Sequence, residues 1–133
     1  MKNQEVLTAA IRLICESPGA EESLDYTERA PYILAAFFSQ AAGTDRRYRS
    51  AHGLEKAAPS PTAYANLEAE FSLSEVFFQP AVYYLAAMLV LEENEALSER
   101  LFDQYSDGMA LICAELPARG ESICDRYGLL GRG

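Results

Sequence analysis

The stretch that most limits what this chain can fold into is Val76 to Leu91, VFFQPAVYYLAAMLVL, which carries one polar side chain, Gln79, between the carboxylates of Glu75 and Glu92. From Pro80 onward the residues favour helix. Pro80 itself suits a first helical turn, where its missing N–H would have had no intrahelical partner. The helical part, Pro80 to Leu91, spans roughly 18 Å at about 1.5 Å per residue, well short of the ~30 Å hydrocarbon thickness of a bilayer. Its acidic flanks also lack the cations that anchor spanning helices. A helix that is apolar on all sides and does not cross a membrane must be covered by protein, so the rest of the chain is expected to wrap it.

With 133 residues the chain fits one domain, large enough to bury a core without disulfide or metal. Its formal charge of −9 is concentrated: Ala57 to Ala118 holds ten Asp or Glu against Arg100 alone, and the remaining acids and bases cancel. Such a surface disfavours nucleic acid and membrane headgroups as partners. Cys15, Cys113 and Cys124 are an odd number with no close pairing and no secretory leader ahead of them, so reduced thiols are expected. Cys15 and Cys113 sit among apolar sequence neighbours and read as small hydrophobes.

Taken in order, Val6, Leu7, Ala10, Ile11, Leu13 and Ile14 have the spacing of one helical face, predicting a first helix over Asn3 to Glu16 with Asn3 as N-cap. Leu24 to Gly43 predicts a second, with Asp25 and Glu28 at capping-box spacing and Gly43 as the C-terminal left-handed residue. Pro31 is too deep for its first turn, which predicts a start near Ala30 or a kink. Residues 44–73 are irregular. Asp45 to Arg49 adds room for one more turn of helix 2, and the alternation of Leu67, Ala69, Phe71 and Leu73 with Glu68, Glu70 and Ser72 predicts an extended arm or short hairpin that is a candidate partner-binding element. A helical turn over Ser74 to Phe78 leads into helix 3, Pro80 to Glu93. Asn94 punctuates, and helix 4 follows from Glu95 to Leu116 with Leu97, Leu101, Tyr105, Gly108, Ile112 and Leu116 on one stripe. So short a connection makes helices 3 and 4 an antiparallel hairpin, with Gly108 admitting close approach. The expected fold is all-α: one domain over 1–116, a bundle of four principal helices with the arm between helices 2 and 3. A flexible tail follows over 117–133.

Little in the chain points to catalysis. His52, the sole imidazole, lies in the irregular region without a nearby nucleophile and reads as a surface side chain. Glu92, Glu93 and Glu95 lack the repeated carboxylate and His spacing of a helical metal site and read as solvated residues at a turn, with Glu95 favourable at the start of helix 4. No phosphate loop, C-x-x-C or H-E-x-x-H occurs. No catalytic, metal or cofactor-binding residue is therefore assigned, and a non-enzymatic role is expected. The dense cation group Arg46, Arg47 and Arg49, with Tyr48 among them, has two readings. One is a solvated helix end whose cations complement the terminal carbonyls. The other is a contact patch for carboxylates, including Glu92 and Glu93 of a neighbouring copy, as head-to-tail self-association would use.

The segment Phe71 to Leu116, and above all PAVYYLAAMLVLEENEALSERLFDQY at Pro80 to Tyr105, resembles the C-terminal helix pair of the head-to-tail connector proteins of tailed phages and prophages, the adaptors that dock under the portal. The resemblance covers about a third of the chain. It implies an all-α bundle, a ring of copies around the DNA channel, an arm that reaches neighbouring copies, a tail that orders against the portal, and a location in the bacterial cytoplasm or the virion. It brings no catalytic residues, and the Arg46 to Arg49 cluster has no counterpart in it. From a different class, the alternative is an acidic bacterial cytosolic regulatory or adaptor protein that binds a basic protein partner.

Overall fold

The computed structural model describes residues 1–14, 21–56 and 59–117. These form four helices, α1 (Asn3–Ile14), α2 (Glu21–Ala51), α3 (Phe78–Val90) and α4 (Glu95–Ala114), with a 3-10 turn at Glu75–Phe77 leading into α3. The all-α bundle read from the sequence is the observed fold. α3 is its axis: Ala81, Leu85, Ala86 and Ala87 are fully buried, and the helix touches each of the other three. Pro80 is in its first turn, where its ring costs no backbone bond. α3 ends at Val90 rather than at Glu93, because the Val90 carbonyl receives both the Glu93 and the Asn94 N–H in a tight turn.

The α3–α4 hairpin is antiparallel. Asn94 caps α4 by accepting the Leu97 N–H at 3.1 Å. Ser98, fully buried, donates its hydroxyl to the Ala87 carbonyl at 2.9 Å. Farther along, the Tyr84 ring packs on Phe102 and Tyr105. At the far end a Cβ on Gly108 would stand 3.3 Å from the Pro80 ring, which is the close approach that the glycine was expected to allow. Cys113 corrects an expectation. Although its sequence neighbours are apolar, it lies on the outer side of α4 and is exposed. The readings of Cys15, of Cys124 and of a flexible tail beyond Pro117 fall outside the described residues.

α2 departs most from its predicted bounds. It begins at Glu21, so Asp25 is inside the helix and forms an (i, i+4) pair with Arg29 at 3.0 Å rather than a capping box with Glu28. It runs through Pro31 and through Gly43, neither of which starts or ends it, and it stops at Ala51. The terminator is Gly53 at φ +67°, with the Leu54 N–H on the Arg49 carbonyl and the Gly53 N–H on the Ser50 carbonyl, the paired bonds of a Schellman end.

Of the expected arm, 44–73, residues 44–51 belong to α2; the described residues after it, 54–56 and 59–74, form no regular helix or strand before the 3-10 turn and fold back onto the chain's own bundle. Among the described residues no hairpin forms, and strand pairing is limited to an isolated antiparallel bridge between Lys2 and Glu70. The arm instead supplies the cap of α1. Its Ala69 and Leu67 carbonyls accept the Asn3 and Gln4 N–H groups at 3.0 and 2.9 Å, satisfying donors that a helix start leaves open. Asn3 is accordingly not an N-cap. Its side chain is buried and donates to the Asn66 carbonyl at 2.8 Å, while Glu5 accepts the Lys2 N–H. On α2, the Pro31 carbonyl accepts the Ala65 N–H at 2.9 Å. Leu73 is buried, and Phe71 packs edge-on against Phe38 and Phe78.

Candidate functional site

The last turns of α2 carry the dense cation group, and the helix gives its members different tasks. Arg49 is committed within the chain: its Nε bonds Asp45 Oδ2 at 2.9 Å and its guanidinium reaches the Glu55 carbonyl at 3.0 Å. Asp45 is buried, and its other oxygen accepts both the N–H and the hydroxyl of Ser74, at 3.0 and 2.6 Å. One carboxylate thus ties the end of α2 to the chain entering α3. Tyr48 is half-buried, meeting Phe77 edge-on and stacking on His52 at 4.1 Å, so it is part of the packing rather than of an outward patch. His52 is exposed, as read, and its Nδ1 lies 2.9 Å from the Tyr48 carbonyl.

Arg46 and Arg47 remain available for external contacts. Arg46 is exposed, and its guanidinium lies back over Gly43. It borders an open depression of about 270 Å³ shared with Arg49, Ser50, Leu54 and Lys56. Its neighbour Arg47 is half-buried, its Nε enclosed without a hydrogen-bond partner, and the two arginines together line an open depression of about 530 Å³ with Gln40, Gly43, Thr44 and Ser50. Arg47 also borders a depression of about 320 Å³ closed by Leu116 and Pro117 at the end of α4. Cations thus surround the C-terminal end of α2, where they complement the helix carbonyls. Sequence reading missed Lys56, which Gly53 and the turn after it bring beside Arg46.

The acidic residues Glu92 and Glu93 lie at the opposite end of the same helix. Both are exposed in the α3–α4 turn, and Glu93 accepts the Tyr26 hydroxyl at 2.6 Å. Nearby, Arg29 donates to the Leu89 carbonyl at 3.0 Å, closing the end of α3. From Tyr26 to Arg46 along α2 is about 30 Å at 1.5 Å per residue, so the predicted acidic and basic groups cannot meet within one copy. The intervening polar contacts, Gln40 to Tyr84 at 3.1 Å and Tyr105 to Gln40 at 3.3 Å, join α2 to the hairpin. Burial, and secondarily the neighbouring Tyr84, raises the Tyr105 phenol above its ordinary pKa, so it is a neutral hydrogen-bond donor.

Among the described residues no group of three or more His, Cys, Asp or Glu side chains is placed to hold a metal ion, and no helix is long and apolar enough to cross a membrane. No family model, curated protein or solved structure matches the chain.

Proposed function

We propose that the protein is a non-enzymatic assembly subunit, and that its assembly is the head-to-tail connector of a tailed phage or prophage. The reading is carried by the separation of charge along α2: cations at its C-terminal end, and the carboxylates of Glu92 and Glu93 beside its N-terminal half. Groups that cannot pair within a copy are available to pair between copies. A contact of one surface with a different one closes into a ring where the rotation per subunit permits. The resemblance of Pro80 to Tyr105 supplies the portal as the partner on which that ring forms.

The contact is partly ionic, so it weakens with salt. Light scattering of the protein with and without a portal-like partner, for the wild type and for Arg46→Ser with Arg47→Ser, tests it. Arg49 is left intact because it is structural. The expected outcome is a monomer or small oligomer alone, a ring on the partner at low salt, and loss of the ring in the double variant. Equal assembly of the variant would leave the cations as a solvated helix end.

A second reading, an acidic cytosolic adaptor for a basic protein, is favoured by Glu99, Asp103 and Asp107, exposed at four-residue spacing on one stripe of α4. Portal, capsid and tail genes beside this one would favour the first reading; a transcription or metabolic operon would favour the second.

A further inference from the structure

Two tyrosines stand out of the surface where the arm crosses α2. Tyr32 is 60% exposed and Tyr64 is 52% exposed, and their rings meet edge to face, with centroids 5.1 Å apart and planes at 70°. Neither ring is there to fill the core. Their immediate neighbours fix them: Pro31 and Ala65 are buried and joined by the 2.9 Å bond from the Ala65 N–H to the Pro31 carbonyl. The backbones that carry the two rings are therefore held together before any ligand arrives, which removes part of the ordering cost from binding.

The corner forms one wall of an open groove of about 560 Å³, floored by Pro31 and Leu67 and bordered by Glu28. That volume holds a long side chain with its flanking backbone. Glu28 lies one turn before Tyr32 on the same side of α2, and no cation of the described residues lies within 4 Å of it. Nearby cations are engaged elsewhere: Arg29 with Asp25 and Lys2 with Glu68. Electron-rich ring faces beside an uncompensated carboxylate attract a cation, and a guanidinium most of all, since it can stack on a ring and donate to a carboxylate at once.

The same helix shows a guanidinium using one tyrosine ring and a carboxylate at once. Arg29 lies over the Tyr26 ring, 5.8 Å from its centroid, with its Nε on the Asp25 carboxylate at 3.0 Å. Tyr32, Tyr64 and Glu28 offer rings and a carboxylate on the exposed surface, with no cation of the described residues on them. We propose that this corner is a docking site for an arginine side chain on an extended, basic segment of a partner protein. The site lies about 21 Å along α2 from Arg46, and its assignment stands or falls independently of head-to-tail assembly.

The test uses the intact protein, isotope-labelled, titrated with the blocked tripeptide acetyl-Gly-Arg-Gly-amide and followed by amide chemical shifts. The expected result is perturbation centred on Glu28, Tyr32, Tyr64 and Leu67. Affinity should fall about threefold to tenfold in Tyr32→Leu and in Tyr64→Leu, fall in Glu28→Gln, hold in Tyr32→Phe, and not change in Asp103→Asn on the acidic face of α4. The citrulline peptide, which keeps the shape and loses the charge, should bind at least tenfold more weakly. All of these side chains are exposed, so an unchanged melting temperature in each variant confirms that folding is intact. The proposal is overturned if citrulline binds as well as arginine, if the shifts spread over α4 instead, or if Tyr32→Leu binds like the wild type. It is equally overturned if a proline-rich peptide takes the groove in preference, or if the groove amides move with protein concentration alone, which would make the occupant a second copy.

Discussion

Gly43 and Gly53 carry opposite meanings that their residue type does not distinguish. Gly43 is mid-helix with no left-handed φ, and a Cβ there would meet only the flexible tip of Arg46 at 3.7 Å, an ordinary contact. Gly53, at φ +67°, occupies a conformation that an L side chain rarely adopts. Gly43→Ala should therefore stabilise the protein by about 0.5–1 kcal/mol through helix propensity and a less free unfolded chain, and Gly53→Ala should destabilise it by at least a similar amount. Denaturant midpoints for the two variants check the signs; a destabilising Gly43→Ala would mean that the end of α2 is packed more tightly than its surroundings show. Cys113 gives a second residue-scale lesson. Ile112 fixes the buried side of α4, and the next residue is turned about 100° away from it, so helical phase predicts exposure where a list of sequence neighbours predicts burial.

At the scale of elements, the parts legible in the sequence were those whose signals are local. Pro80, Asn94 and the stripe from Leu97 to Leu116 each act within a turn or two of where they stand; α4 starts at Glu95 as Asn94 sets it and ends at Ala114, two residues short of the expected Leu116, while α3 starts two residues before Pro80 and ends at Val90. The C-terminal end of α2 was placed at the wrong glycine: Gly53 ends the helix by a local device, and what carries the helix past Gly43 includes a contact from far along the chain. Asp45 continues the helix past Gly43 while its side chain is claimed by Ser74 and Arg49. The same limit hid the Tyr32 and Tyr64 corner, which exists only because the arm's Ala65 bonds the Pro31 carbonyl. Asp45 should accordingly be among the costlier polar positions. Asp45→Ala leaves the Ser74 N–H and the Arg49 Nε without their acceptor, for a loss of about 2–4 kcal/mol, between that of one charged hydrogen bond and that of a broken buried pair. Ser74→Ala removes only the hydroxyl bond, for about 1 kcal/mol. Urea titrations of both variants test the ranking, and equal losses would mean that the carboxylate contributes no more than a neutral acceptor.

For the molecule as a whole, the central position of α3 has a consequence for how stability is distributed. Its fully buried face contacts α1, α2 and α4, so it cannot open unless all of those interfaces separate. The last turns of α2 are held differently. Arg46, Ser50 and Ala51 are exposed there, and the attachment to the body runs mainly through Asp45 and Tyr48. Opening free energies in native proteins range from near zero at such extensions up to the global value in the core. Hydrogen exchange should therefore find the amides of Leu85 to Leu89 exchanging only through global unfolding, with a denaturant slope equal to that of the circular-dichroism transition. The amides of Ser50 to Gly53 should exchange at substantially lower free energy and with little dependence on denaturant. If α3 amides instead exchanged through a smaller opening, with α1 and α2 still protected, the hairpin of α3 and α4 would be a separate cooperative unit, and α3 would not be the axis on which the rest of the bundle depends.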